Sequence, residues 1–129
     1  MRKLLFPALL ILALIVTACG GGNDKSSKGS TFTYESETGP IEVPTNPRRV
    51  VNLSGFTGNL LHLGVPVIGT EVWSKNAPQF AERLKDVEEV SEENLEKLIE
   101  LEPDLIVALS TAKNLDTIRE IAPTVTYTW

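Results

Sequence analysis

One cysteine and one histidine are the whole supply of soft metal ligands in this chain of 129 residues. A disulfide framework and a Cys/His zinc cage within one chain are both excluded by that count. Positive charge is also in short supply: 12 Lys and Arg face 17 Asp and Glu, a formal charge of −5. An acidic chain gains no counterion-release energy from phosphate backbones, which argues against nucleic acid as a partner. Apolar runs of the ~20 residues that span a bilayer are missing. The longest uncharged apolar stretch, Leu4 to Ala18, has fifteen residues and is interrupted by Pro7. Catalytic signatures are absent as well. No Gly-x-Ser-x-Gly frames Ser54, and His62 is too near it in sequence to serve a Ser-His-Asp triad. Gly55-Phe56-Thr57-Gly58 lacks the third glycine and the spacing of a dinucleotide fingerprint or P-loop. No internal repeat is visible.

What is present begins with an address. Arg2-Lys3 followed by the apolar stretch reads as a secretory leader over residues 1–18. Its removal leaves 111 residues, about one domain's worth, with a net charge of −7. The lone cysteine stands where the apolar run stops, in Leu14-Ile15-Val16-Thr17-Ala18-Cys19-Gly20. An aliphatic residue at −3 and a small one at −1 before Cys resemble a bacterial lipobox. Cleavage before Cys19 would let its thiol carry a diacylglycerol. At about 0.8 kcal/mol per buried CH₂, two or more acyl chains hold a protein firmly to a membrane. Residues 19–30, with Gly20-Gly21-Gly22 and a polar run to Ser30, form a flexible tether with nothing apolar to bury.

Residues 31–129 carry the folded part. Thr31 to Glu35 and Ile41 to Val43 alternate in period two around Gly39-Pro40, the pattern of a β-hairpin. Then strand and helix alternate. Strands are expected at Val50–Leu53, Val65–Gly69, Leu105–Leu109 and Thr124–Thr128. Helices are expected at Phe56–Leu63, with Phe56, Leu60 and Leu63 inward, and at Pro78–Leu84. A third runs from a Ser91 cap to Leu101, with Leu95, Leu98, Ile99 and Leu101 inward, and a fourth over Ser110–Ala122. This order predicts an α/β fold: a Rossmann-like three-layer lobe with a mainly parallel sheet preceded by a β-hairpin.

Ligands of open α/β sheets bind beyond the carboxyl ends of the strands. Three loops leave those ends: Ser54-Gly55-Phe56-Thr57, Glu71-Val72-Trp73-Ser74-Lys75-Asn76 and Ser110-Thr111-Ala112-Lys113-Asn114. The candidate ligand-binding residues are Ser54, Phe56, Thr57, Trp73, Ser74, Lys75, Ser110, Lys113 and Trp129. Their aromatic faces, hydroxyls and lysines suit a bulky, oxygen-rich, neutral or weakly anionic ligand. The bland alternative places Trp73 under its own loop and Lys75 in solvent. Arg48-Arg49 precedes the first sheet strand, at the far end, and reads as a solvated basic pair. His62 reads as a helix C-terminal residue rather than a ligand. Glu82 to Asp104 holds ten acids against Arg83, Lys85 and Lys97, a solvated face or a docking surface for a basic partner.

Pro40-Ile41-Glu42-Val43-Pro44 with Asn46-Pro47-Arg48-Arg49-Val50-Val51 resembles the opening of iron–siderophore substrate-binding lipoproteins of ABC transporters, the class III periplasmic-type binding proteins. Leu61-His62-Leu63-Gly64-Val65, Asn94-Leu95-Glu96-Lys97-Leu98, Leu101-Glu102-Pro103-Asp104-Leu105-Ile106 and Ile121-Ala122-Pro123-Thr124 continue the likeness. Trp73-Ser74-Lys75-Asn76-Ala77-Pro78-Gln79-Phe80 looks most like the hydroxamate-binding branch from Gram-positive bacteria. The resemblance implies a two-lobed fold of which this chain is the N-terminal lobe, apparently truncated. It implies a lipid-anchored receptor on the extracytoplasmic face of the membrane that delivers a ferric siderophore to a permease and its ATPase. It implies no catalysis and no cofactor, the iron being held by the siderophore, and it places a permease-docking acid at Glu96. Receptors for haem, a corrinoid, or a carboxylate or catecholate siderophore are the rivals within the same class. A small surface hydrolase and a structural lipoprotein are the rivals outside it.

Overall fold

The structure, a computed structural model, describes residues 29–128. The leader, Cys19, most of the tether and Trp129 lie outside the described residues.

The chain opens with an antiparallel hairpin, β1 (Thr31–Ser36) and β2 (Gly39–Pro44), paired from Thr31 opposite Pro44 to Ser36 opposite Gly39. Gly39 and Pro40 therefore belong to β2 instead of separating the strands, and Glu37-Thr38 make the turn. Then come β3 (Val50–Leu53), α1 (Thr57–His62), β4 (Val67–Thr70), α2 (Val72–Lys75), a 3₁₀ turn at Pro78–Phe80, and β5 (Glu88–Glu89). α3 (Leu95–Glu100), β6 (Leu105–Leu109), α4 (Leu115–Ile121) and β7 (Thr124–Tyr127) complete it. The five later strands form one parallel sheet in the order β5-β4-β3-β6-β7, so β3 runs through its middle. The expected α/β lobe, hairpin first and parallel sheet after, is what the chain adopts.

Alternation along the strands divides the core between two faces. Val51, Leu53, Ile106 and Ala108 pack with Leu98 of α3 and Ile118 of α4. Leu61 of α1 packs with Val67 and Leu84 in a separate, smaller cluster. Gly58 lets α1 approach Phe80, since a Cβ there would stand 2.9 Å from the ring. Gly64, at φ +74°, ends α1 as its position just past the helix predicts. The hairpin docks by hydroxyls: Ser36 Oγ and Thr38 Oγ1 each lie 3.1 Å from Thr126 Oγ1 of β7. No helix among the described residues is long and apolar enough to cross a membrane.

Several elements differ from the sequence expectation. In α1 the buried positions are Thr57 and Leu61, and Leu63 is 75% exposed, because Thr57 is drawn inward by hydrogen bonds that a hydrophobic pattern does not register. α3 starts three residues later than a Ser91 cap implies: Asn94 is the cap, its side chain accepting from Lys97 N at 3.1 Å. Leu98 is fully buried, and Ile99, one position on, faces solvent. α4 begins at Leu115, behind an Asn114 in the left-handed region, so Ser110 to Asn114 are loop. The segment after Pro78 forms one 3₁₀ turn and not a helix to Leu84. α2 and the edge strand β5 were not anticipated.

Arg49 is not merely solvated. Its Nη2 donates to the Leu101 carbonyl at 2.6 Å, and its Nε reaches the Leu101 and Glu102 carbonyls at 3.1 and 3.2 Å. It thereby satisfies carbonyls left over at the end of α3. Asp104 completes the corner by accepting from the Arg48 and Arg49 amides at 2.6 and 2.9 Å.

The register of α3 is directly testable. Leu98→Ala should lower the free energy of unfolding by about 3 kcal/mol in urea. Ile99→Ala, next to it in sequence, should change it by less than about 0.5 kcal/mol.

Candidate functional site

The parallel strands all end at one side of the sheet, and a cleft of about 730 Å³ opens there. Leu53, Ser54 and Gly55 line it after β3, Glu71, Val72 and Trp73 after β4, Glu89 to Glu92 and Asn94 after β5, and Leu109 at the end of β6. Trp73 is 85% exposed on its rim, so it does not pack under its own loop.

Beneath the cleft lies a buried polar network that begins on the middle strand. Asn52 is fully buried in β3. Its Oδ1 accepts from the Ser54 hydroxyl at 2.6 Å and from the Ser54 amide at 3.3 Å. Its Nδ2 donates to Thr57 Oγ1 at 2.7 Å and to Glu71 Oε2 at 3.1 Å. Thr70 Oγ1 gives its proton to Glu71 Oε2 at 2.8 Å and stands 2.7 Å from Thr57 Oγ1. A hydroxyl has one proton to give, so Thr57 must be the donor in that last pair. Ser74 Oγ donates to Glu71 Oε1. No buried side-chain polar atom among the described residues lacks a partner.

The structure sorts the sequence candidates by position. Ser54 and Trp73 line the cleft. Thr57 and Ser74 are buried in the network below it and present no free hydroxyl to a ligand. Lys75 is turned away: its Nζ donates to the carbonyls of Leu84, Lys85 and Val87. Lys113 pairs with Glu93 at 2.7 Å, and that hydrogen bond holds the Glu93 carboxyl below its usual range. Ser110 is half-buried, its amide donating to the Tyr127 carbonyl at 2.8 Å. Phe56 meets Tyr127 edge-on, with centroids 5.7 Å apart and planes at 77°, at the β7 end of the same strand row. Trp129 and Cys19 lie outside the described residues. Glu96 is exposed in the first turn of α3, and it makes no ion pair among the described residues. His62 is exposed at the end of α1.

Sequence reasoning passed over three participants, Asn52, Thr70 and Glu71. Asn52 sits mid-strand, where a polar residue among Val and Leu was the available signal. Glu71 was seen only as part of a loop. The lining itself also differs from expectation in charge. Glu71, Glu89 and Glu92 line the cleft, and no lysine or arginine among the described residues does. The two lysines expected to supply donors are occupied elsewhere.

No protein-family profile matches the chain. Individual proteins do. The iron(3+)-hydroxamate-binding protein YxeB of Bacillus subtilis (strain 168) is 36% identical, over 95% of this chain and 40% of that protein. The iron(3+)-hydroxamate-binding protein FhuD of the same organism is 34% identical, over 95% of this chain and 42% of that protein. Among solved structures, Staphylococcus aureus SirA complexed with staphyloferrin B aligns with a TM-score of 0.67 and 36% identity, covering 74% of this chain and 36% of that one. The chain thus spans about two-fifths of the length of the curated relatives it matches.

The aromatic end of the strand row has its own signature in alkali. Burial, then a hydrogen bond with Tyr34, pushes the Tyr127 phenol up to about 12. A phenol whose folded value lies above its unfolded one, about 10, contributes stability that is present below pH 10 and lost as pH rises through 12. Denaturant melts between pH 9 and 12 should therefore show a falling stability, and Tyr127→Phe should flatten the fall. An unchanged slope in that variant would place the titrating group elsewhere.

Proposed function

We propose that this chain, which is homologous to the iron–siderophore-binding proteins of ABC transporters over a lobe-sized part of their length, contributes one wall of a siderophore-binding cleft. The ligand is a ferric hydroxamate, captured outside the cell membrane and handed to an ABC permease and its ATPase for iron uptake. The chain is a receptor component and not an enzyme. Cys19 carries the lipid that anchors it, and residues 19–30 are its tether.

The observation that carries the reading is the cleft at the strand ends, with Trp73 exposed on its rim and, among the described residues, carboxylates but no cations in its lining. Its volume falls in the range of small-molecule sites, roughly 300–1,000 Å³. The charge of the lining supports hydroxamates over the rival ligands. Three hydroxamate groups neutralise one ferric ion, whereas three catecholates leave the complex strongly negative. A wall bearing Glu89 and Glu92, with the Glu71 carboxylate engaged by Asn52, Thr70 and Ser74, repels a polyanion and accepts a neutral or cationic complex. Trp73 supplies a broad, rigid apolar face for its organic part.

Docking on the permease falls to Glu96. Glu100 is engaged by Lys97 and Glu93 by Lys113, while Glu92 lines the cleft, which leaves the Glu96 carboxylate available to a basic partner.

Tryptophan fluorescence of residues 19–129, with Cys19→Ser for solubility, tests the ligand. Ferric hydroxamates should quench saturably, and their iron-free forms and ferric catecholates should not. Trp73→Ala should weaken that binding by more than about tenfold, as for a buried aromatic anchor, without unfolding the lobe. Saturable binding of ferric catecholates alone would replace the ligand class, and no binding of any ferric complex would remove the reading. For docking, Glu96→Ala in a two-lobed receptor carrying this lobe should impair uptake and leave ligand affinity intact. Normal uptake would release Glu96 from that role.

A further inference from the structure

Helix α2 spans four residues, Val72–Lys75, too few to fix its own direction. Something else must hold it, and the structure shows a tie at each end. At the far end Lys75 Nζ is bound by the Leu84 and Val87 carbonyls. At the near end Glu71 is the N-cap residue, and its carbonyl accepts from Lys75 N at 3.0 Å. Its carboxylate meanwhile accepts from Asn52 of β3, Thr70 of β4 and Ser74 of α2 itself. Between the two ties stand Val72 and Trp73, 43% and 85% exposed, both lining the cleft.

We infer that Glu71 is a positioning residue of the cleft, whose carboxylate locks α2 to the ends of β3 and β4 and so fixes the direction in which Trp73 is presented. Trp73 has little packing of its own to orient it. Its backbone is held by a short helix whose start is pinned to a fully buried amide of the sheet. A ligand that meets a wall already in place loses less entropy on binding.

The direction of the hydrogen bonds makes the role specific. Oε2 must accept twice, because Nδ2 of Asn52 can only donate and the Thr70 proton points the same way. Oε1 faces only the Ser74 hydroxyl, which can give or take. A glutamine fits this arrangement, with its oxygen in the place of Oε2 and its amide nitrogen donating to Ser74. A leucine of similar shape removes all three carboxylate bonds at once.

The test reads Trp73 itself. In a Trp129→Phe background Trp73 is the only tryptophan. Time-resolved anisotropy of the ligand-free protein should show the fast-motion amplitude of Trp73 rising about twofold in Glu71→Leu, and Glu71→Gln should stay close to the parent. Ser74→Ala, which cuts the tie to α2 alone, should give an intermediate rise, and it serves if Glu71→Leu fails to fold. Ferric-hydroxamate affinity, an arm that rests on the proposed function, should fall about tenfold in Glu71→Leu and recover in Glu71→Gln. Unchanged Trp73 motion in both Glu71→Leu and Ser74→Ala would overturn the inference, and so would a glutamine variant as loose as the leucine one. If the parent binds no ferric complex, the ligand reading falls while the anisotropy still judges Glu71.

Discussion

A side-chain amide buried within the middle strand is the constraint around which this lobe is arranged. Asn52 has no access to water, and β4 and β6 flank its backbone on either side. Leaving its amide unpaired would cost about 1–3 kcal/mol per group. The chain avoids that cost by bringing four side chains to it or to one another: Ser54, Thr57, Thr70 and Glu71. Ser54 follows β3, Thr57 opens α1, and Thr70 and Glu71 join the end of β4 to the start of α2. Satisfying the amide therefore fixes the turn after β3, the rotation of α1, and the start of α2 together. The floor of the cleft is a by-product of that accounting.

Much of the architecture was legible because it depends on patterns that water enforces. Val50–Leu53 and Leu105–Leu109 are apolar without interruption apart from Asn52, and strands covered on both faces read that way. Gly64 and Pro103 punctuated the helices where they should. A cleft does open at the strand ends, where the rule for open sheets directs, but the segment after β5 lines it in place of the expected Ser110 to Asn114 loop. What escaped was governed by hydrogen bonds rather than by burial of carbon. Thr57 takes an inward position of α1 because it has partners there, while Leu60 packs on the smaller cluster and Leu63 turns to solvent. Asn94 displaces Ser91 as the cap of α3 for the same reason. The four-residue α2 has no period to detect, and a two-residue β5 made of glutamates has no strand-like composition.

The lysines teach a related lesson about reading sites. Loop lysines near a predicted cleft invite the role of ligand donors. Here both have nearer work: Lys75 closes the turn at Leu84 to Val87, and Lys113 ties its loop to Glu93. Carbonyls at the ends of turns and neighbouring carboxylates are always in competition for a flexible cation. In an acidic chain that competition is won locally, and the cleft keeps the sign of the remaining charge. The same arithmetic spends Arg49 on the end of α3.

Both margins of the parallel sheet are blunted in the way that keeps sheets from growing. On one side the last strand, β5, is only Glu88–Glu89, with both side chains exposed. A second chain that tried to pair there would bring carboxylate against carboxylate along a stretch too short to register. On the other side β7 meets the hairpin end, where Ser36 Oγ stands 3.4 Å from the Thr126 amide. Charge and brevity guard one margin, and a folded-back loop crowds the other. A second copy of the lobe brought alongside would meet a short acidic edge on one margin and the hairpin end on the other, with no long open strand to extend.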